Sequence, residues 1–376
     1  MTAQEIPNQF LSTDEDGYLV HEEKRITNLE IGAGVFETLT ILSNNSFGAL
    51  FHDEPVIVEA FDSPLLVRSI ERVQSKDLEN LKEVITESFN ALQNKSAEKN
   101  DGEFLKLNFN YNYSIIIDVH NFFLDSWDRL HGELENGVPF TFTRKAQEQF
   151  FEMLEEYSDE DFEWAGRTEK FNSFWPDNKI LNGPTWWNKI YEEEENPGWN
   201  LAEPTETLKD MLPRLKLPKS KILVMGCGDS HDAAYFAEHG HLVTAVDISP
   251  HAIERSKKLF GHLDNIRWIE SDLFNLPTSF YGQFDIVYEY TCFCAIDPER
   301  RKDLIKVWTK CLHEQGQLMG TFFCMHKRVG PPFGATEWEI RESLKKNFQF
   351  IFWGRWRKSL PRRQGRELFV LAKKKV

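Results

Sequence analysis

The stretch Lys221 to Ser249, KILVMGCGDSHDAAYFAEHGHLVTAVDIS, constrains the fold more than any other part of the chain. Lys221 to Met225 is an apolar run of buried-strand length. Gly226-Cys227-Gly228 follows at once, where a backbone must turn tightly and come close to a ligand. Asp232 to His239 carries helical spacing, with Ala233, Phe236 and Ala237 on one face, and Gly240 stands where a helix C-cap would. His241 to Ile248 reads as the next strand and places Asp247 near its carboxyl end, about 20 residues beyond the turn. An acid there can take both hydroxyls of a ribose. The stretch therefore predicts one βαβ unit with its ligand contacts in place.

The residues that are missing narrow the ligand. A dinucleotide fold needs a third glycine for the pyrophosphate at the helix N-terminus, and His231 occupies that position. Two glycines, acidic neighbours and an Asp ending the second strand suit a cationic ribosylated cofactor, of which S-adenosylmethionine is the common one. The bland alternative is a structural glycine turn in some other α/β protein.

Beyond this unit the alternation continues as an open sheet requires. Ser249 is a natural N-cap with Pro250 at the first helical position, and that helix runs to about Phe260. Strands are expected at Ile266 to Glu270, Phe284 to Tyr288 and Gln317 to Phe323, with a helix from Pro298 to about Cys311 capped by Asp297. Phe348 to Trp353 and Glu367 to Leu371 would close the sheet as a terminal pair. The predicted class is α/β, a doubly wound Rossmann-like domain whose ligand lies over the strand ends, where Gly226, Asp247, Asp272 and Glu289 fall.

At 376 residues the chain is long enough for about two domains. The boundary is expected in the acidic, aromatic and irregular run Ser158 to Asn182, giving a smaller β-rich α+β domain at 1–175 and the α/β domain at 176–376. In the front part, strands are predicted at Tyr18 to Val20, Val35 to Leu42, Phe47 to Phe51, Pro55 to Phe61, Phe104 to Val119 and Pro139 to Thr143. Helices are predicted at Leu78 to Leu92 and Arg144 to Tyr157, with a polar loop at Asn94 to Asp101. Its histidines are scattered and assemble no chemistry. An accessory role is the reading for this domain.

Charge is divided unevenly. Residues 219–376 hold 25 Lys and Arg against 18 Asp and Glu, a net of +7, whereas residues 1–218 hold 19 against 42, a net of −23. The basic back half could suggest nucleic acid. No aromatic-and-basic RNA-binding motif accompanies it, so the preferred reading is charges that punctuate the terminal strands and face the acidic front domain. No apolar run approaches the ~18 residues of a membrane span, the N-terminus carries no export signal, and a cytoplasmic protein is expected. The five cysteines form no CxxC pair, which argues against structural zinc and a disulfide framework, and no metal is expected.

The block EYTCFCAIDPERR (Glu289 to Arg301), GPPF (Gly330 to Phe333), the GCG turn and VDIS together resemble the thiopurine S-methyltransferase family, which includes the plant halide and thiol methyltransferases. The resemblance spans about residues 183–376 and includes the aromatic segment WNKIYEEEENPGW, with Trp187, Tyr191 and Trp199. It implies a class I methyltransferase using S-adenosylmethionine. Gly226 and Gly228 would approach the methionine moiety, Asp247 with Ile248 the ribose, and Asp272 with Leu273 the adenine. Trp187, Tyr191 and Trp199 would fold over the cofactor, and Trp199 and Tyr290 would border the acceptor; Phe333, after the two prolines, is either a further part of the pocket wall or simply core. The thiopurine branch carries Arg where Tyr290 stands and the halide and thiol branch an aromatic, which favours a small soft acceptor.

Methyl transfer from a sulfonium is an in-line displacement in which an enzyme mainly aligns the nucleophile and excludes water. Aromatic walls can face the sulfonium charge, a contact worth ~0.5 to 2 kcal/mol. Glu289 and Tyr290 are the catalytic candidates. Glu289 either accepts a thiol proton or orients the cofactor; orientation is preferred because an anion repels an anionic nucleophile, and a strand-end acid held by hydrogen bonds is the structural alternative. Covalent catalysis by Cys292 or Cys294 is disfavoured by their apolar surroundings. A cofactor-sensing module without turnover and a small-molecule O- or N-methyltransferase are the competing functions.

Overall fold

A computed structural model describes residues 6–81, 103–120, 122–175 and 183–375. The chain divides into two compact units, residues 1–176 and 177–376. Among the described residues, the first holds two six-stranded sheets and one three-stranded sheet. Its core is rich in phenylalanine: Phe122, Phe140, Phe142, Phe150 and Phe162 are buried together with Trp164. Most expected strands are present, as Leu19–His21, Phe47–Phe51, Glu54–Glu59, Glu103–Asn108, Ser114–Ile117 and Pro139–Phe142. The helix Arg144–Met153 is shorter than expected and buries Phe150.

Two expectations in this unit are corrected. The strand expected from Val35 is instead the end of a helix, Leu29–Glu37, followed by the two-residue strand Thr40–Ile41. The Asn28 side chain caps the helix by accepting from Ile31 N, and Gly32 lets the Tyr111 ring lie against it, since a Cβ at Gly32 would stand 2.2 Å from that ring. The run from Ser158 is not irregular. Asp161–Trp164 and Arg167–Ser173 form a hairpin that buries Phe162 and Trp164. The helix expected at Leu78 to Leu92 and the polar loop at Asn94 to Asp101 fall outside the described residues, apart from a 3₁₀ stretch, Ser75–Leu81.

The second unit alternates as its sequence predicts. In chain order it comprises α1 (Pro184–Glu193), α2 (Glu206–Leu215), β1 (Lys221–Met225), α3 (His231–Glu238), β2 (Leu242–Asp247), α4 (Pro250–Phe260), β3 (Ile266–Glu270), β4 (Phe284–Tyr290), α5 (Arg301–Cys311), β5 (Leu312–Phe323), α6 (Glu337–Lys345), β6 (Phe348–Trp356) and β7 (Glu367–Lys374). The sheet order is β3-β2-β1-β4-β5-β7-β6. Strands β1 to β5 are mutually parallel, while β7 runs antiparallel to both β5 and β6.

Apolar central strands feed cores on both faces of this sheet: Leu223 and Val287 pack on one, Val224 and Tyr288 on the other. Ser249 caps α4 by accepting from Ala252 N, with Pro250 in the first turn. The strand order reverses between β1 and β4. A parallel sheet of this kind opens its ligand crevice at that point, beyond the strands' carboxyl ends.

Candidate active site

A cavity of about 690 Å³ lies there, and it takes its walls from the glycine turn, the ends of β2 and β4, the aromatic segment and the loop before β7. Gly226 and Gly228 both sit at positive φ, +64° and +52°. A Cβ on Gly228 would stand 2.8 Å from the Tyr191 hydroxyl, so the aromatic segment rests directly on the turn. Gly228 N donates to Asp247 Oδ2 at 2.9 Å and Ser249 N to Oδ1 at 2.9 Å. Asp247 also lines the cavity, so a carboxylate fixed by backbone amides stands where a ribose diol would bind. Burial pushes the Asp247 carboxyl upward, against these amide hydrogen bonds.

Ile248, Asp272 and Leu273 also line the cavity. Asp272 Oδ1 accepts from Phe274 N at 2.9 Å, capping the 3₁₀ turn Leu273–Asn275 and fixing the shape of this end. Arg300 stacks on Phe274, its guanidinium carbon 3.6 Å from the ring centroid, and both residues line the same end.

The aromatic segment is locked to itself and to the core. The Trp187 and Trp199 rings meet edge to face at 5.5 Å, and Trp199 Nε1 donates to the Tyr191 hydroxyl at 3.1 Å. Arg255 on α4 donates to the Glu194 carbonyl at 2.9 Å and to the Glu195 carbonyl. It also pairs with Asp229 at 2.9 Å, and Asp229 in turn accepts from Asn200 Nδ2 at 2.5 Å. All three aromatic residues line the cavity.

Strand pleating decides what β4 presents. Tyr288 and Tyr290 face the cavity; Glu289, between them, does not line it. Both Glu289 carboxylate oxygens accept from Phe293 N, at 3.0 and 3.1 Å, and burial pushes the carboxyl up to about 8. This geometry matches a strand-end acid held by hydrogen bonds. Tyr290 lines the cavity and donates its hydroxyl to Glu367 Oε1 at 3.2 Å.

Phe333 is a core residue off the cavity wall, 4 % exposed, with its amide donating to the Cys294 carbonyl; Pro331 and Pro332 line the cavity in its place. Cys292 and Cys294 reach the wall, but burial raises both thiols, Cys294 to about 12. They are therefore poor nucleophiles.

Sequence reasoning missed two groups. Thr205, Asp232 and Tyr288 form a buried cluster in which Tyr288 donates to Asp232 at 3.0 Å and Thr205 N donates to it at 2.7 Å. Burial raises Asp232 to about 6. The second group is Arg362, Arg363 and Arg366, which line the cavity rather than merely decorating the terminal strands. The signal for Tyr288 was its two-residue spacing from Tyr290; a single sequence offers none that separates Arg363 from its exposed neighbours.

This sheet order, with a glycine turn and a ribose-type acid at the ends of β1 and β2, defines a class I S-adenosylmethionine-dependent methyltransferase. The family model for thiopurine S-methyltransferase matches residues 183–366. A probable thiol methyltransferase 2 of Arabidopsis thaliana is 32% identical over 162 residues, covering 42% of this chain and 70% of the relative. Thiocyanate methyltransferase 1 of the same plant is 29% identical over 163 residues, with the same shares of each chain. The crystal structure of Burkholderia thailandensis 1,6-didemethyltoxoflavin-N1-methyltransferase superposes with a TM-score of 0.42 at 21% identity, covering 51% of this chain and 87% of that one. The chain belongs to the thiopurine S-methyltransferase family, and it is a methyltransferase that uses S-adenosylmethionine.

Proposed function

We propose that this enzyme methylates a small soft nucleophile, such as a thiol, a sulfide, a selenium species or a halide, by direct in-line transfer. The observation that carries this reading is the closure of one cavity by the glycine turn and Asp247 on one side and by Trp187, Trp199 and Tyr290 on the other. Held by Gly226, Gly228, Asp247 and Asp272, S-adenosylmethionine would supply an electrophilic methyl group to the acceptor's lone pair, with the departing sulfur keeping the electron pair of the old bond as S-adenosylhomocysteine.

The chain's own residues position and desolvate. Asp247 would hold the ribose, Gly226 and Gly228 leave room for the methionine part, and Ile248, Asp272 and Leu273 form the adenine end. Tyr191, Trp187 and Trp199 cover the site and exclude water. The rings of Trp199 and Tyr290 line the cavity and would bring aromatic surface to a sulfonium cation. Glu289 acts by holding the turn after β4 and not by moving a proton. The names of the thiol and thiocyanate methyltransferases among the relatives agree with the small soft acceptor proposed. Five free cysteines fit a reducing compartment and cytoplasmic operation.

The test is turnover of S-adenosylmethionine to S-adenosylhomocysteine by the full chain with iodide, hydrogen sulfide, small thiols, a selenium nucleophile and a thiopurine. Product that depends on a small acceptor supports the proposal. Tight cofactor binding without turnover of any acceptor points instead to a cofactor sensor.

A further inference from the structure

Tyr288 and Thr205 hold a carboxylate in the cavity wall that can take a proton near neutral pH. Asp232, in the first turn of α3, is partly buried and lines the cavity. Its Oδ1 accepts from Thr205 N at 2.7 Å and its Oδ2 from the Tyr288 hydroxyl at 3.0 Å. Burial pushes the carboxyl up to about 6, against both of those hydrogen bonds. The titratable and charged groups that act on it are Tyr288, from β4, and Arg363, from the loop before β7; the adjacent His231 is coupled to Asp229 and Glu203. Arg363 also stands beside Tyr290, its guanidinium carbon 5.2 Å from the ring centroid. Asp232 and Tyr290 therefore share a neighbour. Other acids of the wall are engaged elsewhere: Asp247 by the amides of Gly228 and Ser249, Asp229 by Arg255, and Asp272 by the turn it caps.

We infer that Asp232 takes the proton of acceptors that arrive protonated, so that neutral thiols, hydrogen sulfide and selenols become substrates without prior ionisation. This deepens the methyltransferase reading and rests on it. In the step, the S–H bond breaks and its proton goes to the Asp232 carboxylate. The electron pair left on sulfur forms the new bond to the methyl carbon, and the proton then passes from Asp232 to solvent. A neutral thiol and a cationic donor thus give a neutral thioether, S-adenosylhomocysteine and one proton. A thiol that ionises above about 8 is mostly protonated at neutral pH, where a carboxyl that titrates near 6 is mostly ionised and ready to act as base. Tyr288 and Thr205 are positioning residues: both donate to the carboxylate and favour its ionised form against burial. Iodide carries no proton and needs none of this.

The experiment uses the full-length chain with Asp232→Asn and Tyr288→Phe, 2-mercaptoethanol as the protonated acceptor and iodide as the one without a proton. Calorimetry measures S-adenosylhomocysteine binding, and carbon-13 NMR of labelled aspartate follows the Asp232 titration in the product-loaded chain with and without iodide. The expected result for Asp232→Asn is a thiol kcat/KM about a hundredfold lower at pH 7, with iodide turnover and product affinity within about threefold. The acidic limb of the thiol profile, near pH 6 in the wild-type chain, moves to the thiol's own range. Tyr288→Phe removes a donor to the ionised carboxylate, so its limb lies above that of the wild-type chain. Iodide bound near Asp232 moves the carboxyl's titration upward. Equal losses for thiol and iodide overturn the inference and leave Asp232 a structural clamp on Thr205 and Tyr288. Thiol turnover that survives Asp232→Asn, or an Asp232 titration that iodide does not move, overturns it as well. Absence of turnover with every acceptor in the wild-type chain sinks the methyltransferase reading and this role with it, whereas iodide turnover without thiol turnover sinks this role alone.

Discussion

Arg255 and Asp229 form a 2.9 Å ion pair that fastens the aromatic segment to the glycine turn, because the same guanidinium also holds the carbonyls of Glu194 and Glu195. The Asp229 carboxylate is almost fully buried, and Arg255 lies 5.5 Å from the Tyr191 ring centroid. One side chain on α4 thus sets where Tyr191 and Trp199 sit. Arg255→Ala is expected to lower affinity for S-adenosylmethionine by about tenfold, the scale of losing a charge-assisted hydrogen bond. Calorimetric titration checks this. Unchanged affinity would show that the segment seats itself without the pair.

A glycine pair separates backbone strain from ligand space. Gly228 and Gly240 both have positive φ, but among the described residues a neighbour stands where a Cβ would go at Gly228, whereas nothing lies within 4 Å at Gly240. Gly240→Ala should therefore cost about 1 kcal/mol of stability and leave cofactor affinity intact. Gly228→Ala should displace the Tyr191 hydroxyl and abolish measurable cofactor binding. Equal effects of the two on S-adenosylhomocysteine titration would contradict the role given to the turn.

Legibility followed the range of the signals. The βαβ unit was readable because its apolar period, its glycines and Asp247 all lie within one short run, and each fixes a local conformation. The side of the sheet that Glu289 faces was not, since Tyr288, Glu289 and Tyr290 suit either face until the pleat is placed against β1 and β5. Leu29–Glu37 was read as strand at its end because two glycines and Val35 hide a helix whose stability comes from Tyr111, far along the chain. Helix α2 carries Pro213 inside it, which masks its period. Arg363 looked like its exposed neighbours, because burial of one arginine in a basic run depends on Tyr290, Phe323 and Trp199 meeting in space.

Glu289 sets a pH dependence of stability with a definite sign. Its folded carboxyl titrates at about 8 against an ordinary value of 4.5, so the folded chain binds more protons than the unfolded one between those values. The contribution of this group is full below about pH 4.5 and is lost as pH rises toward 8. Glu289→Gln should flatten that part of the profile while keeping kcat within about threefold, as befits a group that holds a turn rather than moves a proton. A hundredfold loss of kcat with the fold intact would restore Glu289 to proton transfer.

The front unit should respond to acid in the opposite direction. Asp125 is buried, which alone would raise its carboxyl, but a hydrogen bond from His131 and the charge of Arg129 outweigh burial and bring it to about 2. His131 bridges Asp125 at 2.9 Å and Thr141 at 2.8 Å, and burial holds its imidazole below the ordinary 6.5. The unfolded chain therefore binds the extra protons. Stability from the histidine declines as pH falls below about 6.5, and that from Asp125 is full above about 4 and lost as pH falls toward 2. Asp125→Asn removes the charge that Arg129 and His131 face, so it should cost about 1.5 to 3 kcal/mol at pH 7 and shrink the loss between pH 4 and 2. Calorimetric scans of the full chain from pH 2 to 7 read both effects. Parallel pH profiles for the two proteins would mean that the network carries no net ionic stabilisation.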